Sequence, residues 1–271
     1  RFLLGNLNDF DPNKDLLPVN ELLSLDQWVI NRLHEVQAKI LEDYHVYAFH
    51  RVSQSLHNFC VADMGGFYLD VIKDRLYTTE DHSHARKSAQ NVLYHIAESM
   101  VRWIAPILSF TADEVWQFLP GDRTESVFLS EWYQLPEKVD IAVNWSVMDV
   151  VQKTVAKALE AARDEGVIGS SLDASITIYT EDELAELLAS FGEELHFLFI
   201  TSDATLASTV NIPEGAIKAD GVAVSVLQSI HQKCIRCWHK DESVGQSSDH
   251  PDLCVRCIGN ITGRGEPRLH F

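Results

Sequence analysis

Four of the five cysteines, Cys234, Cys237, Cys254 and Cys257, form two C-x2-C pairs separated by a sixteen-residue spacer. Each pair aims two thiolates at one point, and two pairs complete the tetrahedral sulfur shell favoured by zinc. The chemistry expected of such a site is structural. Four thiolates fill the shell, so no position is left for a water or a substrate. His239 and His250 lie inside the spacer as possible substitute ligands. Two disulfides are the competing use of these cysteines, and they belong to an oxidising compartment. Few apolar residues follow Gln232, so the tail is expected to need its metal in order to fold. Cys60 falls beside Phe59 on an apolar stripe and reads as a buried, unreactive thiol.

The loops around the four cysteines carry Lys233, Arg236, Trp238, Lys240, Arg256, Arg264 and Arg268. Cations beside an aromatic ring suit phosphate contact and base stacking in RNA. Packing of Trp238 on its own knuckle, and plain solvation of each cation, are the blander readings. Other candidates are weaker. Asp81-His82-Ser83-His84 holds two imidazoles but sits where a helix starts, and reads as a cap. The acids Glu193-Glu194 and Glu181-Asp182-Glu183 read as solvated faces. No G-x-G-x-x-G, Walker loop or nucleophile elbow occurs, and no catalytic residue is assigned.

These residues need a scaffold, and the periodicity supplies one. Leu25, Val29, Leu33, Val36, Ile40 and Tyr44 recur at helical intervals, with Ser24 and Gln27 as a capping box. Two further long stripes follow, Phe49 through Val52, Leu56 and Phe59 to Met64, and Ala89 through Val92, Ile96 and Met100 to Ile104. A shorter helix is signalled by Thr111 and Glu114 and closed by Pro120-Gly121. Such helices pack as a bundle. After Trp132–Pro136 the texture changes. A helix from Ser146 to about Arg163 buries Val147, Val151, Val155, Ala158 and Ala162, and Gly166 and Gly169 close it. The period then becomes two, with Leu172, Ala174, Ile176 and Ile178 on one face of a strand. A helix capped by Thr180 and Glu183 follows, then an apolar run from Leu195 to Ile200 and a second alternating stretch through Val222, Val224 and Val226. The expected class is mainly α with a small α+β part, divided as a helical bundle over 1–138, an α/β junction over 139–228 and a zinc-binding tail over 229–271.

Composition bounds what this assembly can be. At 271 residues, 46% apolar and 23% charged, the chain is an ordinary folded protein. It opens Arg1-Phe2-Leu3-Leu4 without an initiator Met and reads as a piece of something larger. It has neither a membrane-length apolar run nor a signal peptide and reads as cytoplasmic. A net charge of −18 argues against binding nucleic acid by bulk attraction, which excludes general DNA binding. The charge is uneven, however. From Val226 onward six Lys and Arg face five acids, so this part is net +1 and the rest −19. A locally basic tail on an acidic body can still approach an anionic partner.

Several long strings carry a family resemblance: RFLLGNLNDFDP over 1–12, FYLDVIKDRLY over 67–77, LYHIAE over 93–98, VRWIAPILSFTADEVW over 101–116, and the tail beginning KCIRCWH at Lys233. Together these closely resemble the bacterial isoleucyl-tRNA synthetases, of class I, along the whole chain. The resemblance implies a C-terminal portion: the anticodon-binding helical bundle, the junction, and a zinc-binding tail that helps grip the anticodon stem-loop of isoleucine tRNA. It implies one structural Zn2+, with ATP and Mg2+ used only in an upstream catalytic domain, and a monomeric parent that binds neither DNA nor membrane. The H-I-G-H and K-M-S-K-S signatures of that domain are absent, as is the editing domain, so this chain alone is expected to be inactive. The RNA contacts expected are Arg236, Trp238 and Arg256, with Lys233 and Arg264 next. Arg102 is open to stem contact or helix packing. The family often places cations before an I/V-G-x-S-L-E/D-A string; here the chain reads RDEGVIGSSLDA from Arg163 to Ala174, leaving Arg163 as the surviving cation. A zinc-ribbon module that docks a protein on a helical scaffold is the alternative reading.

Overall fold

Apolar residues at intervals of three and four wind the first half of the chain into helices that bury one face each. The computed structural model describes residues 1–141 and 143–271, which divide into two units: Arg1–Leu76 with Asp81–Ile141, and Tyr77–Glu80 with the described part of Ala142–Phe271.

In the first unit the helices are α1 (Phe2–Asn6), α2 (Pro12–Asp15), α3 (Ser24–His45), α4 (Phe49–Asn58), α5 (Leu69–Val71), α6 (Lys73–Thr78, whose last two residues fall in the second unit), α7 (His84–Ile104) and α8 (Ser109–Trp116). Helix α3 packs on α4 and α7, and α7 on α1 and α8. Leu25, Val29, Ile30, Leu33 and Ile40 from α3 meet Val92, Leu93, Ile96 and Trp103 from α7 in the core.

Two start signals land away from the observed caps. Leu23 is the N-cap of α3, which places Ser24 as the first residue of the helix, and Gln27 Nε2 donates to the Leu22 carbonyl at 2.9 Å. Leu108 is the N-cap of α8, which places Thr111 inside that helix. Ser83 does cap α7, accepting from the Arg86 backbone N–H, so the histidine-rich stretch is a helix start.

The stripe beginning at Phe49 is not one α-helix. Phe59–Tyr68 winds as a wider π-helix. The pair Gly65-Gly66 fits this winding: a Cβ on either would stand 3.0 Å from a carbonyl five residues back, that of Cys60 or Val61. Glycine at these two positions relieves that crowding. Cys60, expected to be buried, is half-exposed on this segment, and burial of the remainder pushes its thiol up.

Buried charge ties the unit together. Asp26, fully buried on α3, accepts from Arg75 Nη2 at 2.5 Å, Arg75 Nη1 at 2.7 Å and Tyr68 Oη at 2.7 Å, and from the Ser88 hydroxyl. Four donors satisfy a carboxylate that would otherwise be costly to bury.

In the second unit a 3-10 turn (Trp145–Val147) leads into α9 (Met148–Asp164). Val151, Val155, Ala158 and Ala162 are buried, but Val147 is 39% exposed, because the α-helix starts only at Met148. Gly166 at φ +72 turns the chain out of it. Strands β1 (Ala174–Tyr179), β2 (Asp203–Ala207), β3 (Ile217–Ala219) and β4 (Val222–Gln228) form a sheet in the order β2-β1-β4-β3. Pairing is parallel for β1 with β2 and antiparallel for the others, with Ile176 opposite Val226 and Ile178 opposite Val224. Leu172 lies in a 3-10 turn before β1 rather than in the strand. Helix α9 covers β3 and β4.

Helices α10 (Asp182–Ala189) and α11 (Leu195–Phe199) complete this layer. The N-cap of α10 is Glu181, and Thr180 donates its backbone N–H to the Ala207 carbonyl at 3.2 Å. No helix among the described residues is long and apolar enough to cross a membrane.

Candidate functional site

The first knuckle sits between two short strands, β5 (Gln232–Lys233) and β6 (Lys240–Asp241), paired Gln232 to Asp241 and Lys233 to Lys240. The turn is held by Cys234 N–H to the His239 carbonyl at 2.8 Å and Trp238 N–H to the Cys234 carbonyl at 2.9 Å. Trp238 has φ +68, a left-handed backbone that a bulky residue adopts only when its surroundings impose it. Cys254 is the N-cap of α12 (Val255–Ile261), whose first turn carries Cys257. The knuckles are joined by Ile235 N–H to the Asp252 carbonyl at 3.1 Å and by Cys254 N–H to Cys234 Sγ at 3.4 Å.

All four Sγ atoms lie within 4.8 Å of one another, and all four cysteines are buried. Cys237 and Cys254 stand 3.7 Å apart. A tetrahedron of zinc–sulfur bonds about 2.3 Å long has sulfur–sulfur edges of about 3.8 Å, so the thiols are arranged as zinc needs them. Their electrostatics agree. Hydrogen bonds from Cys254 and Cys257 hold the Cys237 thiol low, while the same contact with Cys237 pushes Cys254 up to about 12 and Cys257 higher still. Four sulfurs this close cannot all ionise together without a cation among them. All five cysteines are free thiols, so no disulfide competes for them. With Val244 and Leu253 the four clustered cysteines make up a small core of the tail.

Neither spacer histidine joins this cluster. His239 is buried edge-on against His196 and Phe197, at ring distances of 5.5 and 5.7 Å. His250 is half-buried outside it.

The five side chains singled out for RNA separate into two groups. Lys233, Trp238 and Arg264 are exposed, with Trp238 61% accessible and Lys233 Nζ 5.9 Å from its ring centre. Arg236 and Arg256 are half-buried and committed within the unit. Arg236 Nη1 donates to the Thr78 carbonyl and lies 3.9 Å from Cys257 Sγ. Arg256 Nη1 is 3.2 Å from Glu266 Oε1, with its guanidinium 5.1 Å from the Phe197 ring. Arg268 is buried over the same ring at 3.3 Å.

Arg163 is exposed and reaches the Ser171 hydroxyl at 3.5 Å. Arg102 takes the packing role. It pairs with Glu98 at 2.5 Å, donates to the Glu131 carbonyl at 2.8 Å, and lies 4.7 Å over the Trp116 ring.

One element near the centre carried no signal in the sequence. Glu194, read as solvated, accepts the backbone N–H groups of Leu269, His270 and Phe271 at 2.7, 3.0 and 2.9 Å. Phe271 is thereby seated against Phe191 and Trp145, at 4.9 and 6.1 Å. A contact spanning more than seventy residues leaves no local pattern.

The family described as the anticodon-binding domain of tRNA ligase matches residues 26–178, and that described as a zinc finger found in FPG and IleRS matches residues 232–259. The chain is 49% identical to an isoleucine–tRNA ligase of Saccharophagus degradans and 51% to one of Pseudomonas aeruginosa, over 99% of its length in each case. It is 48% identical to one of Legionella pneumophila over 100%. The chain spans 29% of the length of these relatives. With four converging thiols where the zinc-finger family matches, and a helical unit where the anticodon-binding family matches, this chain belongs to the family of tRNA ligase anticodon-binding domains.

Proposed function

We propose that this chain is the anticodon-recognising portion of an isoleucine–tRNA ligase, and that its partner is the anticodon stem-loop of isoleucine tRNA. The observation that carries this reading is the presentation of Trp238: exposed, in a left-handed backbone, beside the cation of Lys233, on a four-cysteine knuckle. Unpaired bases offer faces to such a ring and edges to nearby polar groups, whereas paired ones do not. Zinc, held by Cys234, Cys237, Cys254 and Cys257, would supply rigidity. Lys233, Trp238 and Arg264 would touch RNA directly. Arg236 and Arg256 would hold the knuckle and α12 in place behind them.

In this reading the bundle of 1–138, the junction of 139–228 and the tail of 229–271 act as one positioning device. ATP, Mg2+ and catalysis belong to the rest of a monomeric cytoplasmic ligase. Energy from gripping the anticodon end is spent on placing the distant acceptor end.

The test is fluorescence anisotropy of the zinc-loaded chain with a labelled isoleucine-tRNA anticodon stem-loop and an anticodon-swapped control, over a salt series. Preference for the native loop, weakened about fivefold to a hundredfold by Trp238→Ala, is the expected result. A chelator should abolish the preference and loosen 232–261 in hydrogen exchange. Equal or absent binding of both loops by folded, zinc-loaded chain would overturn the proposal. It would favour protein docking through the exposed Ile230 and Ile235, which are 92% and 66% accessible.

A further inference from the structure

Four thiolates around one Zn2+ leave a formal excess of two negative charges, and all four cysteines here are buried. Buried charge of this kind needs N–H groups or cations facing the sulfurs. Cys234 Sγ accepts the Cys254 backbone N–H at 3.4 Å, and Arg236 Nη1 stands 3.9 Å from Cys257 Sγ. The other arginines of the tail that lie close by are already matched: Arg256 and Arg268 both pair with Glu266. Arg236 differs from them. Among the described residues it forms no ion pair with a carboxylate, and its partners are a sulfur and a carbonyl. Its positive charge is therefore directed at the cysteine cluster.

The carbonyl belongs to Thr78, the last residue of α6. A guanidinium Nη carries two hydrogens, so the same nitrogen can serve the Cys257 sulfur with one and the Thr78 carbonyl with the other. Residues 77–80 belong to the second unit, although the chain up to Leu76 and from Asp81 belongs to the first. The turn that follows α12 lies against the same segment. A Cβ on Gly265, which has φ +61, would stand 3.2 Å from Glu80 Oε2. Thr78 and Thr79, between these two points, are buried. The tail thus grips 77–80 at both ends, and at one end the grip is a side chain that also faces a metal ligand.

We propose that Arg236 balances the charge of the zinc–thiolate cluster through Cys257 and, from the same nitrogen, latches residues 77–80 to the tail, so that the order of this segment depends on the metal. Without the metal, the knuckle that carries Arg236 loses its fixed geometry, and the donor to Thr78 is lost with it. Arg236 is a positioning residue in this role. The inference concerns the metal site and holds independently of RNA binding.

The experiment compares the unaltered chain with Arg236→Ala, Arg236→Lys and Arg236→Gln. Competition with a chromophoric chelator gives zinc affinity, and hydrogen exchange gives order at 77–80. Stripping zinc from the unaltered chain should speed exchange at 77–80 as well as at 232–261. Arg236→Ala should weaken zinc binding about tenfold to a hundredfold and exchange fast at 77–80 even when zinc-loaded. Arg236→Lys, which keeps the charge, should hold zinc more tightly than Arg236→Gln, which keeps only a neutral donor. Zinc content and circular dichroism identify the variants that load and fold. If Arg236→Ala does not, the Lys and Gln variants decide the matter by themselves. Equal zinc affinity in those two would overturn the charge-balancing role. Unchanged exchange at 77–80 on zinc removal, in a chain whose 232–261 segment has loosened, would overturn the latch.

Discussion

Glu194 Oε2 accepts the backbone N–H of Phe271 at 2.9 Å, and the same carboxylate takes the N–H groups of Leu269 and His270. One acid beside α11 thus seats the strap that ends the zinc-binding tail. Glu266 in this strap pairs with Arg256, next to Cys257, so the strap and the second knuckle brace each other. Glu194→Ala should cost about 2 to 3 kcal/mol, since three backbone donors lose a charged acceptor. Glu194→Gln should cost less, because it keeps an acceptor oxygen. Denaturant unfolding gives the loss, and hydrogen exchange should speed at 269–271. Unchanged exchange there would show that aromatic packing of Phe271 alone holds the strap.

Asp26 and Arg75 are the buried charge pair of the helical unit, with side chains 0% and 1% exposed. Removing one partner strands the other away from water. Asp26→Ala and Arg75→Ala should each destabilise the unit by about 3 to 5 kcal/mol. A joint replacement by apolar residues of similar volume should cost far less than the two single losses added together. Urea melts of the four proteins measure this coupling, and additive losses would contradict it.

His95 gives the helical unit a pH dependence. Its Nδ1 is 2.8 Å from the Tyr133 hydroxyl, and burial lowers its pKa to about 4 from the ordinary 6.5. Above pH 6.5 the ring is neutral in both folded and unfolded chains and has no effect. As pH falls from about 6.5 to 4 the unfolded chain takes up a proton that the folded one refuses, so stability declines. The full contribution is on the order of 3 kcal/mol, and about 2 kcal/mol should be gone by pH 5. Urea melts at pH 7 and pH 5 should show this slope reduced in His95→Gln; an identical slope in both proteins would place the dependence elsewhere.

Much of this molecule is legible from order along the chain alone. The spacing of Cys234, Cys237, Cys254 and Cys257 specifies a metal site because each knuckle is a local turn, and the thiol is itself the ligand. The stripes of α3, α7 and α9 and the alternation of β1 and β4 are equally local, since a helix or strand repeats one backbone geometry and its buried face repeats with it.

The tertiary structure alone decided which charges are free. Arg236 and Arg264 look alike in the sequence, yet one is held by the Thr78 carbonyl and the other is exposed. Glu194 looks like any solvated acid until residues 75 to 77 positions away reach it. The physical reason is the same in both cases. Residue type fixes what a side chain can bond, but whether water or protein supplies the partner depends on which distant segments the fold brings within about 3 Å.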